Sequence, residues 1–132
     1  MQSFLRRCAV FLLLATTHSL GVAEDNQAQY IDLKPAFVTN YGSNPKLQYI
    51  KVEISVRVET LDDVALVERH LPYLRNNLVL LLSQQSDEDV GSAEGRQQLR
   101  VAALEEVQKV MQDEEGNKVV SDVLFNNFIV QS

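Results

Sequence analysis

The chain has 132 residues, with 18 acidic against 12 basic side chains, two histidines, one cysteine and a formal charge of −6. That length supplies the core of one domain. An acidic chain without clustered Lys and Arg disfavours nucleic acid and anionic lipid as partners, and a lone thiol excludes a disulfide scaffold.

At the N-terminus, Arg6 and Arg7 precede an apolar run from Cys8 to Ala15, followed by Thr16, Thr17, His18, Ser19 and the small residues Gly21 and Ala23. This order predicts a secretory signal over residues 1–23, cut between Ala23 and Glu24. An uncleaved short anchor is the alternative. As a helix, Cys8–Ala23 reaches roughly 24 Å at about 1.5 Å per residue, less than a hydrocarbon core of about 30 Å. Cleavage would remove Arg6, Arg7 and Cys8, deepening the formal charge from −6 by the two arginines to −8. It would leave a polar lead at 24–29 and one domain at 30–132.

Tyr30–Val38 reads as one strand whose Pro35 argues for an edge or a bulge. "NYGSNP", Asn40–Pro45, is dense in turn formers. From Gln48 to Glu59 the alternation is regular, with Ile50, Val52, Ile54, Val56 and Val58 on one face and charged or polar residues on the other, which predicts a half-buried strand.

Thr60 and Asp63 predict a helix start, and Asp62 and Asp63 suit the positive end of that helix. Val64, Val67, Leu71, Leu74, Leu78 and Leu81 recur at steps of three and four. Pro72 divides the stripe into helices over roughly 61–70 and 72–85. Leu78–Leu82 is apolar all round and is expected to be buried. "SQQSDEDVGS" reads as a polar link, after which Ser92 caps a third helix running to about Gln112, with Leu99, Ala103, Val107 and Val110 or Met111 inward. Gly116 is expected near the left-handed region of a turn. Lys118–Gln131, rich in β-branched and aromatic residues, reads as a last strand. The order ββαααβ predicts an α+β fold, a small and mainly antiparallel sheet with about three helices packed on one side.

Little catalytic chemistry is visible. Past the signal there is one histidine, His70, at a helix end, and no thiol, so no nucleophile and base pair is in sight. Asp87, Glu88 and Asp89 lack the glycine and the distal glutamate of a calcium loop, and read as a solvated acidic link. Gly95 follows no phosphate-loop pattern. The aromatics Tyr30, Phe37, Tyr41, Tyr49, Tyr73, Phe125 and Phe128 read as core and interface rather than a stacking platform. No catalytic residue, cofactor or metal is expected.

Four segments, "AFVTN" (36–40), "RHLPYLRNNLVLLLS" (69–83), "EGRQQLR" (94–100) and "SDVLFNNFIVQ" (121–131), together resemble the flagellar basal body-associated FliL family across about residues 30–131. The resemblance implies a periplasmic domain similar to those of stomatin and prohibitin. It implies a homo-oligomer, in rings around flagellar stator or basal-body proteins, that supports swimming or swarming without catalysing a reaction.

On this sequence the family pattern falls on His70, Pro72, Leu74, Arg75 and Asn76, on Glu94, Gly95, Leu99 and Arg100, and on Phe125, Phe128 and Gln131. Their expected roles are a helix junction, close packing at Gly95 and aromatic anchoring of the last strand, with Arg75 and Arg100 suited to pairing with carboxylates across subunits. Typical members carry a cytoplasmic tail, a full transmembrane helix and a linker before this domain. The stretch before Tyr30 departs from that pattern, and membrane contact is expected only if it is retained. A periplasmic interaction module unrelated to flagella, reusing the same domain, is the second reading.

Overall fold

The computed structural model describes residues 27–131, so the expected signal or anchor at 1–23 lies outside the described residues. The strands are β1 (Gln29–Asp32), β2 (Phe37–Asn40), β3 (Tyr49–Val58) and β4 (Val120–Gln131); the helices are α1 (Leu61–Arg69), α2 (Leu71–Ser83), α3 (Asp87–Gly91) and α4 (Ala93–Glu115). The class is α+β, with an antiparallel sheet backed by helices.

β3 is the centre of the sheet. β4 runs antiparallel along one side of it, and β1 and β2 share the other side, each holding one end of β3. The single strand expected over Tyr30–Val38 is therefore two strands with Leu33–Ala36 between them. Pro35 offers no N–H to the ladder, so the edge opens around it. The alternation in β3 is as expected: Ile50, Val52, Ile54, Val56 and Val58 are buried, while Tyr49, Lys51 and Glu53 face solvent.

α1 starts where Thr60 Oγ1 accepts the Asp63 N–H. Pro72 falls in the first turn of α2, where the missing N–H costs nothing. The inward faces of α1 and α2 bury Val67, Leu74, Leu78 and Leu82. Full burial of Leu78–Leu82 is not observed, because Leu80 is 52% exposed on the outer side of α2. A run of five apolar residues goes more than once around a helix, and only one side of this one meets the core.

The expected polar link contains a short helix. Ser86 and Asp89 form a reciprocal capping box for α3, and Val90 buries its other end. Ser92 caps α4 by accepting the Gly95 N–H, and α4 buries Leu99, Ala103, Val107, Val110 and Met111. Gly116 ends α4 at φ 79°, returning its N–H to Gln112 O.

β4 carries a bulge. Ile129 lies opposite Lys51 but Asn126 lies opposite Glu53, so β4 spends one residue more than β3 over that span, and Asn127 takes φ 48°. The extra residue resolves an oddity of "FNNF". Phe125 and Phe128 are three apart, which would put them on opposite faces of a regular strand. Here both pack against the core, with ring centroids 5.7 Å apart.

Candidate functional site: the break in the edge strand

The gap between β1 and β2 lies beside Glu53 and Ile54 of β3, and a cleft of about 680 Å³ there is lined by Asp32, Leu33, Lys34, Pro35, Ala36, Glu53, Ile54, Ser55 and Asn126. Arg75, from α2, holds the gap in shape. Its Nη1 donates to the carbonyls of Leu33 at 2.9 Å and Pro35 at 2.7 Å, and its guanidinium carbon sits 4.1 Å from the centre of the Phe37 ring. The carbonyls freed by the break are thus satisfied by a charge-assisted donor, and the charge is stabilised by an aromatic face.

Three strands meet at the outer wall of the cleft. Ser55, although it belongs to the wet face of β3, is buried, because Asp32 and Asn126 close over it. Ser55 Oγ donates to Asp32 Oδ1 at 2.7 Å and accepts from Asn126 Nδ2 at 3.0 Å; beside them Asn127 Nδ2 donates to Glu53 Oε2 at 2.9 Å. A hydroxyl has one proton to give, so giving it to Asp32 fixes the amide of Asn126 as donor.

The other family-pattern residues form two further groups. At the helix corner, His70 Nε2 lies 2.7 Å from Glu115 Oε1 and Arg69 Nη1 lies 3.1 Å from the same oxygen. Hydrogen bonding from His70, with the Arg69 charge adding to it, holds the Glu115 carboxyl below the usual glutamate range. Pro72 and Asn76 are exposed on α2, whereas Leu74 is fully buried.

Where α4 meets α3 and β4, a Cβ on Gly95 would lie 2.5 Å from Asp89 O, so glycine is required by close approach. Glu94 is exposed in the first turn of α4, and Leu99 is buried. Arg100 Nη1 donates to Asp122 Oδ1 at 2.6 Å and to Val123 O at 3.3 Å, and Arg96 lies 4.6 Å over the Phe128 ring. Gln131 is the exposed last residue of β4. Arg75 and Arg100, expected to pair across subunits, both have partners within this chain.

Sequence reasoning did not single out Asp32, Ser55 and Asn126, which carry no pattern until the register joins them. Glu115 was hidden in an acidic turn. Pro35, flanked by two short β-prone segments, was the available signal for the break itself.

The chain is thus an α+β domain, a helix-backed antiparallel sheet with a cleft at its broken edge. Residues 30–131 match the family described as "Flagellar basal body-associated protein FliL", and the chain belongs to that family. It is also similar to a "Flagellar protein FliL" of Aquifex aeolicus (strain VF5), at 24% identity over 99 residues, covering 75% of this chain. The chain spans 59% of the length of that relative. Membership supports a flagellar basal-body-associated role. Among the described residues no helix is long and apolar enough to cross a membrane.

Proposed function

We propose that this chain is a non-enzymatic accessory of the flagellar motor, which acts from the periplasm by protein contact. It assembles with copies of itself and with basal-body or stator proteins, and that assembly supports swimming or swarming. The observation that carries this reading is the match to the flagellar family over residues 30–131.

The form of the domain is consistent with contact work. Val38, Tyr49 and Ile129 are exposed large apolar residues, and strand register places Val38 and Ile129 on either side of Lys51, beyond the cover of the helices. Apolar residues grouped on an exposed sheet face suit an interaction surface.

A strain lacking the protein is the test. It is expected to assemble filaments of normal number and length but to spread less in soft agar or on swarm plates, with recovery on complementation. Unchanged motility under high viscous load would contradict the proposal.

A further inference from the structure

Along the polar wall of the edge-strand cleft, the Ser55 hydroxyl and one N–H each of Asn126 and Asn127 are committed inward. Ser55 gives its proton to Asp32, Asn126 gives its amide N–H to Ser55, and Asn127 gives its own to Glu53. Among the described residues, Asp32 Oδ2, Glu53 Oε1 and Asn126 Oδ1 have no donor, and Asp32, Glu53 and Asn126 all line the cleft. The floor and far wall are Leu33, Pro35, Ala36 and Ile54. Within the lining two carboxylates, Asp32 and Glu53, face the one ammonium of Lys34, and the nearby Arg75 guanidinium is spent on the carbonyls of Leu33 and Pro35. A lining of unpaired acceptors over an apolar floor asks for a cationic, donor-rich group on a hydrocarbon stem. The volume of about 680 Å³ falls within the roughly 300–1,000 Å³ of ordinary ligand sites.

From this wall we infer that the cleft is a docking pocket for an arginine side chain presented by a different protein. A guanidinium offers five N–H donors in a planar fork, which matches carboxylates better than an ammonium does, and its methylenes would cover Pro35 and Ala36. A second copy of this chain is the poorer source, because its described arginines are already engaged. Arg57 faces Glu59 in an ion pair without a hydrogen bond, Arg69 bonds Glu115 and Arg100 bonds Asp122, while Arg75 and Arg96 bond backbone carbonyls. The inference rests on reading the domain as a protein-contact module and names the chemistry of one contact. Its test is a solution measurement, independent of motility.

The experiment titrates the ¹⁵N-labelled full-length protein with N-acetyl-arginine amide, and with N-acetyl-citrulline amide as a neutral probe of the same shape. Amide shifts are expected at Asp32–Ala36, Glu53–Ser55 and Asn126, with citrulline weaker by at least about tenfold, the worth of a charge-assisted pair. The double variant Asp32→Asn, Glu53→Gln keeps an acceptor for Ser55, and is expected to retain the spectrum elsewhere while binding arginine at least about fivefold more weakly. Equal response to citrulline, shifts away from the cleft, or undiminished binding by the double variant would overturn the inference. Sedimentation of both proteins decides the source. Self-association equal in the two is expected, and its loss in the double variant would give the pocket to a second copy, against the inference.

Discussion

Glu115 Oε1 lies 2.7 Å from His70 Nε2, so the last residue of α4 is fastened to the corner between α1 and α2. Because a carboxylate can only accept, this bond puts the ring proton on Nε2. The folded state holds the Glu115 carboxyl below its ordinary value, through the His70 hydrogen bond first. A lowered carboxyl contributes stability above the unfolded glutamate value, and loses it as pH falls through the folded value. Glu115→Gln is therefore expected to melt below the parent protein at pH 7, with the gap starting to close near the ordinary glutamate range of about 4 and closing fully only at lower pH. Thermal unfolding across pH checks this; a constant gap at all pH values would show that the carboxyl charge is immaterial.

Gly95→Ala drives a methyl against the Asp89 carbonyl, whereas Gly91, at the end of α3, has open space around the same position. The first substitution is expected to cost about 1–3 kcal/mol by overpacking. The second is expected to be neutral or stabilising by up to about 1 kcal/mol. Urea denaturation of the two variants gives the comparison, and equal effects would remove the special status of Gly95.

Nη1 of Arg75 bonds two carbonyls while its guanidinium plane lies over Phe37, and no lysine offers that plane. Arg75→Ala is expected to destabilise by about 1–2 kcal/mol, since the part-buried Leu33 carbonyl and the exposed Pro35 carbonyl lose a charged donor. Arg75→Lys should recover only part of that loss. Amide exchange is expected to speed up first at Leu33–Phe37, because the break in the edge strand is the segment released.

Asn127, in the β4 bulge, holds φ 48°, which a β-branched residue tolerates poorly. Asn127→Val is expected to cost about 1–3 kcal/mol, while Asn127→Gly stays within about 0.5 kcal/mol of the parent. Should valine be accepted without loss, the bulge would not be what brings Phe125 and Phe128 to one face.

The parts of this fold governed by local period were legible in the sequence. Ile50 to Val58 announced β3 by strict alternation, and Thr60, Ser92 and Gly116 announced helix ends by cap chemistry. The resemblance gave the family, now supported by the match over 30–131. What stayed hidden depends on register and on long-range contact. Pro35 signalled an irregular edge, but that Arg75, forty residues on, satisfies the opened carbonyls needs the packing of α2 beneath β2. The spacing of Phe125 and Phe128 violates a strand's period until a bulge is known. The α3 helix hid because its residues are polar, its stability coming from one capping box and the burial of Val90.

The central claim is that this domain works by contact with the flagellar motor, and in-cell photo-crosslinking tests it most directly. A photoreactive residue placed at exposed Tyr49, and in a second strain at exposed Tyr73, samples the outer sheet face and the outer side of α2. The account predicts an adduct with a stator or basal-body protein from at least one position. Adducts confined to envelope proteins outside the flagellum, in a strain whose motility the tagged protein restores no better than empty vector, would contradict it.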